Sequence, residues 1–326
     1  MSSDLLNSSS GLGEPALQRR DVAVLRAELR DLALLARSMG DAVLLPVAQR
    51  CLQRLLGVVH AYGGTVHSLA GNSLLAVFDA TPAGPDEHVE RSVQCAVELQ
   101  MAMRDLNAEH RPDRIPELFL GIGVSCGSAV VGSVGAPGVR AAAAMGDVVV
   151  LASQLCAFSL RGQVLIGEAV YERTWGLISA ASPMPIHVKG RQQPVTVREL
   201  AAVPARKLKV PRQEFRRSHR VDVHIPCHLR VVRDGVASAE SLEGQILDLG
   251  YHGAMMTVSA PVPANVDLRL TFDLALVNYQ VREMDARTIT SVTDGGQHMI
   301  GVEFRTLDAV LQDQLRVLVQ RLVAAQ

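Results

Sequence analysis

The chain has 326 residues, 32 Lys and Arg against 33 Asp and Glu, a formal net charge of -1, and 48% hydrophobic residues with aromatics at only 3%. That length exceeds one ordinary core and predicts two domains of roughly 100–200 residues each. The charge balance excludes a globally basic DNA binder, and the scarcity of aromatic rings leaves few stacking platforms for single-stranded nucleic acid. The cores must then be built from Val, Leu, Ala and Ile.

Cys51, Cys95, Cys126, Cys156 and Cys227 are odd in number and never form a CxxC pair, which suits neither a disulfide framework nor a zinc site and points to a reducing cytosol. Residues 1–20 are rich in Ser and Gly and read as a loose tail without the apolar run of a signal peptide. The pair Arg19-Arg20 is not followed by the apolar segment that twin-arginine export needs.

From residue 21 the pattern reads strand, long helix, hairpin, helix, hairpin, helix, and the domain is expected to end near Leu200. "VAVLRAEL" at 22–29 is a strand, and the apolar spacing that follows is helical until Gly63-Gly64. "TVHSLAGNSLLAVFD" is two short strands around Gly71-Asn72, residue types that tolerate positive φ. "DEHVERSVQCAVELQMAMRDLNAEH" is a helix, "LFLGIGVSCGSAVVGSVG" a second hairpin and "GDVVVLASQLCAF" a third helix. The uncharged run 118–139 imitates a membrane span, but its glycines and Pro137 suit strands and a turn, so no span is expected. Residues 201–213, with two prolines and the bases Arg206, Lys207, Lys209 and Arg212, read as a linker. Residues 214–326 switch to short alternating runs broken by Gly, Asp and Pro, the pattern of a small antiparallel barrel. Leu307, Leu311, Leu315, Leu318 and Leu322 make one stripe of a closing helix.

Four blocks in the first domain carry a resemblance: "VVHAYGGTVHSLAGNSLLAVFDA", "LGIGVSCGSAVVGSVG", "GDVVVLASQL" and "VKGRQQPVTVREL". In order and spacing residues 21–200 resemble the class III adenylate/guanylate cyclase catalytic domain. The resemblance implies a ferredoxin-like α/β domain, two acids that hold two divalent metals, and active sites shared between two such domains. The first acid falls on Glu28, one methylene longer than usual; the second falls on Asn72, a neutral amide. The family's ribose-orienting Asn and charge-stabilising Arg correspond to Val150 and Gln154, and its base-selecting positions to Ser68 and a place near Ala143. Metal, base and transition-state contacts are thus replaced together, which implies a pseudo-cyclase that is not an enzyme and whose remaining role is to dimerise or bind a partner. Asp147 suits a helix first turn as well as a metal. His60 and His67 read as ordinary hairpin or surface residues. Gly132 and Gly135 read as turn glycines before phosphate binders.

The second domain places "RRSHR" before its first strand and "DLGYHG" further on. Arg216 and Arg220 match the RxxxR motif, and Asp248 and Gly253 the (D/N)xSxxG motif, of the PilZ domain, a bacterial cyclic di-GMP receptor module that it resembles. Arginine forks suit phosphates and the O6/N7 edge of guanine, and a carboxylate suits guanine N1–H and N2–H. Arg217 assists or faces solvent. Gly250 departs from the motif serine and deletes one hydroxyl hydrogen bond, worth about 0.5–1.5 kcal/mol. The whole is an α+β protein: a cyclase-type domain, then a PilZ barrel with a C-terminal helix. It is expected to be a cytoplasmic cyclic di-GMP receptor without a cofactor, homodimeric through its first domain and relaying to an unidentified protein partner. A residual cyclase with other metal ligands such as Glu28 and Asp147, and an adaptor that binds no nucleotide, are the alternatives.

Overall fold

The computed structural model describes residues 17–30, 32–136, 139–188, 190, 191, 193–211, 219–233 and 235–323. The chain forms two compact units, one of residues 1–185 with 196–214, the other of residues 186–195 with 215–326.

The first unit opens with β1 (Gln18–Arg30), α1 (Leu32–Met39) and α2 (Asp41–Ala61). The sequence pattern predicts one long helix here, but Gly40 sits at φ 74 and breaks it, since a right-handed helix cannot pass through that conformation. There follow β2 (Thr65–Ala70), β3 (Ser73–Asp79), α3 (Glu87–His110), β4 (Phe119–Ala136), β5 (Val139–Met145), α4 (Asp147–Phe158), β6 (Val164–Gly167) and α5 (Glu168–Arg173). Then come β7 (Ser179–Ala180), β8 (Met184–Ile186), β9 (Val195–Val203) and β10 (Leu208–Lys209). The expected second hairpin within residues 118–135 is instead the single strand β4, whose outer half pairs β5 from Val130↔Met145 to Ala136↔Val139. Its glycines mark close packing, not a turn: a Cβ on Gly123 would lie 2.3 Å from the Ala152 carbonyl oxygen on α4. Residues 201–211, expected as linker, carry the end of β9 and then turn back so that β10 pairs with it at Leu208↔Val203.

Strand order in this sheet is β10-β9-β6-β4-β1-β3-β2, with β4 and β6 parallel. Period-two alternation in β1 turns Ala23, Leu25, Ala27 and Leu29 into the core shared with α1, α2 and α3, while Val22 and Val24 face Val148 and Ala152 of α4. Each fully buried Leu or Phe in that core, such as Leu25 and Phe78, contributes about 1.5–3 kcal/mol. By length and composition one helix among the described residues, within α2 at 42–61, is long and apolar enough to cross a membrane. Its Val47, Cys51, Leu55 and Val59 are buried in the core. All five cysteines are free, and burial pushes the Cys51, Cys126 and Cys227 thiols up to about 11.

The second unit contains β11 (Arg220–Arg233), β12 (Val236–Ala237), β13 (Leu242–Gly250), β14 (Gly253–Val258), β15 (Asp267–Leu274), β16 (Tyr279–Asp294), β17 (Gln297–Phe304) and α6 (Ala309–Val323). The order β11-β13-β14-β17-β16-β15, closed by β15 on β11, is a six-stranded antiparallel barrel. Alternate residues such as Leu229, Ile246, Met256, Leu270 and Ile300 fill it. Asp308 caps α6 through the Leu311 N–H at 2.7 Å. The helix buries Leu311, Leu315, Leu318, Val319, Gln320 and Val323. Of the predicted stripe, Leu307 precedes the helix and Leu322 is half-buried, because the buried face rotates toward Val319 and Val323.

Candidate functional site

The alternation that buries Leu25 and Leu29 places Arg26, Glu28 and Arg30 in one row on the opposite face of β1. Glu28 is paired in register with Ser73 at the start of β3, so the β2–β3 turn brings Asn72 directly to it. Asn72 Nδ2 donates to Glu28 Oε1 at 3.0 Å and to the Leu29 carbonyl at 2.9 Å, while the Leu29 N–H donates to the Asn72 carbonyl at 2.8 Å. Arg30 Nη1 stands 3.0 Å from Glu28 Oε2, and its Nη2 donates to the Cys156 carbonyl at the end of α4 at 2.8 Å. Both carboxylate oxygens of Glu28 therefore meet donors of the protein itself. An acid at 72 would point an acceptor at two acceptors, whereas the amide supplies the two N–H groups that this corner needs. The donor set does not fit a two-metal carboxylate pair: one member is an amide and the other is already clamped by a guanidinium. Among the described residues no group of three or more His, Cys, Asp and Glu is placed to hold a metal ion.

The remaining cyclase positions lie on β2, β5 and α4. Ser68 is half-buried on β2, Val150 is 53% exposed on the first turns of α4, and Gln154 lies one turn further on the same helix. Burial holds the His67 pKa below the ordinary 6.5. Gly132 and Gly135 are ladder positions opposite Ala143 and Arg140, not a phosphate-cradling turn. Asp147 is exposed in the first turn of α4, and His60 is exposed near the end of α2. A separate cluster joins β1, α3 and α5: Arg173 forks onto Asp21 at 3.0 and 2.7 Å and reaches Asp86 at 2.5 Å. The Arg173 hydrogen bonds hold Asp21 below the usual carboxylate range, and burial depresses His88, which lies 3.4 Å from Asp21.

In the barrel, Arg220 opens β11 and pairs with Gly250, the last residue of β13. Register shifts on both sides of β13, between Asp222 and Ile225 and between Ile246 and Asp248, mark bulges at this rim. Bulges of this kind re-aim side chains, and here Asp248 Oδ1 comes 3.4 Å from Arg220 Nη1. Both side chains remain about one-third exposed, at 34% and 30%. A Cβ on Gly253 would stand 2.3 Å from the Val302 carbonyl oxygen, so only glycine fits there. A Cβ on Gly250 would lie 3.0 Å from Arg220 Cγ and 3.0 Å from the His219 carbonyl oxygen, which leaves the Arg220 stem lying where a motif serine would project. Arg216 and Arg217 lie outside the described residues.

Two features escape motif reading. Arg30 clamps Glu28, a partner visible in sequence only as the i,i+2 neighbour on one strand face. Tyr251, an unspecified position of the DLGYHG turn, is half-buried; burial raises its phenol to about 12, and its hydroxyl lies 3.5 Å from His219 Nδ1.

Taken together, the fold and these two rims define a two-domain α+β protein, a cyclase-type sheet domain followed by a closed barrel with a nucleotide-suited arginine rim. Residues 50–198 match the family model of the adenylate and guanylate cyclase catalytic domain, and residues 213–321 match that of the PilZ domain. The chain therefore carries a region similar to the cyclase catalytic domain, followed by a region similar to the PilZ domain. It is 26% identical over 197 residues to adenylate cyclase 1 of Rhizobium meliloti (strain 1021), a match that spans 60% of this chain and 30% of that protein. The crystal structure of the guanylyl cyclase Cya2 superposes with a TM-score of 0.56 at 23% identity, over 60% of this chain and 99% of that one. That of the adenylyl cyclase CyaB from P. aeruginosa gives 0.54 at 24%, over 56% and 95%. At these identities the structural likeness is one of fold.

Proposed function

We propose that this chain is a cyclic di-GMP receptor whose PilZ barrel binds the dinucleotide and whose cyclase-type domain, without turnover, dimerises and passes the signal to a protein partner. The observation that carries the binding half is the convergence of Arg220, Asp248 and Gly253 on one barrel rim. The dinucleotide offers two phosphates and two guanines, which match a guanidinium fork and a carboxylate. The partly exposed Arg220–Asp248 pair is worth about 0–1 kcal/mol, so a ligand exchanges it at little cost. A titration with cyclic di-GMP beside cyclic di-AMP, GTP and ATP tests this: selective binding of the first supports it, and no binding leaves the adaptor reading in its place.

Loss of turnover is supported by Glu28, whose oxygens are held by Asn72 and Arg30. Residual cyclase activity is the second reading. It is favoured by the carboxylate retained at Glu28 and by the likeness to a protein named as an adenylate cyclase. Incubation with ATP or GTP and Mn²⁺ separates the two, because cyclic product that disappears on Glu28→Ala establishes the second.

A further inference from the structure

One rung of the barrel wall carries an apolar side chain that the core does not take in. Asp222 on β11, Asp248 on β13, Met255 on β14 and Gly301 on β17 are successive register partners. The neighbouring rung, Val221, Leu249, Ala254 and Val302, is buried, so strand alternation turns this one outward. Met255 is 39% exposed, whereas Met256, next in the chain, is fully buried in the barrel. Directly across the ladder on one side of Met255 stands Asp248, at the separation of paired side chains, about 4.5–5.5 Å between Cβ atoms. On the other side Gly301 has no side chain, and its place is covered by Thr290, whose Oγ1 would lie 2.5 Å from a Cβ there. The result is a low shelf from β13 to β17, two strand spacings or about 9–10 Å across, with a thioether at its centre.

The acid end of this rung carries more negative charge than its own arginine matches. Asp222 and Asp248 are direct cross-strand partners, an arrangement that is destabilising for like charges. Arg220 reaches Asp248 at 3.4 Å, and among the described residues Asp222 forms no ion pair. A purine lying on the shelf therefore gains by turning hydrogen-bond donors toward Asp248. Guanine has them in N1–H and N2–H, whereas adenine presents the N1 acceptor on that edge.

Resting on the cyclic di-GMP reading above, we infer that Met255 is a ligand-contacting residue whose thioether carries the face of the guanine that Asp248 reads at its edge. Methionine suits this position: its sulfur is polarizable and makes favourable contacts with aromatic rings, and its unbranched chain adapts to the base laid on it. Gly301 leaves the ring room beyond Met255. Asp222, behind Asp248, strengthens the negative potential that selects a donor edge. The binding surface thus extends from the Arg220 rim along the outer wall of β13 and β14, past the residues of the two motifs.

The experiment titrates cyclic di-GMP into the full chain labelled with ¹³C at its methionine methyl groups, read by NMR and by calorimetry on the same samples. The Met255 methyl signal is assigned by its loss in Met255→Leu. In wild type it is expected to move upfield as ligand binds, the direction for protons held over the face of an aromatic ring. Met255→Ala is expected to bind about five- to tenfold more weakly, and Met255→Leu, of similar volume, within about threefold of wild type. Ligand that binds wild type yet leaves the Met255 methyl unmoved, or moves it downfield, overturns this inference alone, as does Met255→Ala that binds as tightly as wild type. Ligand that does not bind wild type overturns both this inference and the receptor reading.

Discussion

Replacing Asn72 by Asp sets a second carboxylate against Glu28 and tests whether the cyclase-type corner is built to stay closed without metal. The change removes two donated hydrogen bonds, to Glu28 Oε1 at 3.0 Å and to the Leu29 carbonyl at 2.9 Å. Each is worth about 1 kcal/mol net. Like-charge repulsion between two partly hydrated carboxylates a few ångströms apart adds about 1 kcal/mol more, so the sum is about 3 kcal/mol. In a domain of this size that corresponds to a fall of about 6–12 °C in the melting of the first unit. Millimolar Mn²⁺, which binds the new acid pair in the folded state only, should recover part of the loss. Differential scanning calorimetry of wild type and Asn72→Asp, each with EDTA and with Mn²⁺, gives the answer. An Asn72→Asp protein as stable as wild type in EDTA refutes the reasoning, because the amide would then contribute nothing to the corner.

Other expectations concern both units. Gly250→Ser restores the family motif, but its Cβ would press on Arg220 Cγ and the His219 carbonyl, each at 3.0 Å. Overpacking of about 1–3 kcal/mol outweighs a hydroxyl worth about 0.5–1.5 kcal/mol, so affinity for cyclic di-GMP should not rise; a tenfold gain in a titration would contradict this. Asp248→Ala should weaken binding and blunt the preference for guanine over adenine, measured by parallel titration of cyclic di-GMP and cyclic di-AMP. His67, His88 and His110 of the first unit have pKa values depressed below 6.5 by burial. Their unfolded forms take up protons first, so the stability they contribute is present above about 6.5 and falls as pH drops below it. Thermal melts of the first unit from about pH 7.5 to 5.5 should decline accordingly, and a flat profile would rule this out. Residues 17–211 should dimerise in light scattering, and a monomer at tens of micromolar would remove the dimerising role.

Elements were legible where one local rule governed them. Gly71, at φ 58, and Asn72 announced the β2–β3 turn, and the apolar spacing of 87–110 announced α3. The barrel followed from short alternating runs, and Arg220, Asp248 and Gly253 met at its rim because the motifs lie on paired strands β11, β13 and β14. Glycine misled where its role was tertiary: Gly121 and Gly123 look like turn signals, yet they make room for Ser159, at 2.5 Å from a Cβ on Gly121, and for α4. Pro204 and the basic cluster at 206–209 look like linker, yet the chain there turns back onto β9 as an edge strand. The Arg30 clamp, the His219–Tyr251 contact and the His187–Gln320 bond join residues 2, 32 and 133 positions apart, and at the longer separations only the folded chain decides who meets whom.

The most direct test of the receptor account is a calorimetric titration of cyclic di-GMP into wild type, Arg220→Ala and Arg220→Lys. A charge-assisted fork is worth about 1.5–3 kcal/mol, so Arg220→Ala should weaken binding about tenfold or more. Lysine should not restore it, because an ammonium lacks the fork. Wild type that gives no binding at about 100 μM ligand, or an Arg220→Ala variant that binds as tightly as wild type, would contradict the account.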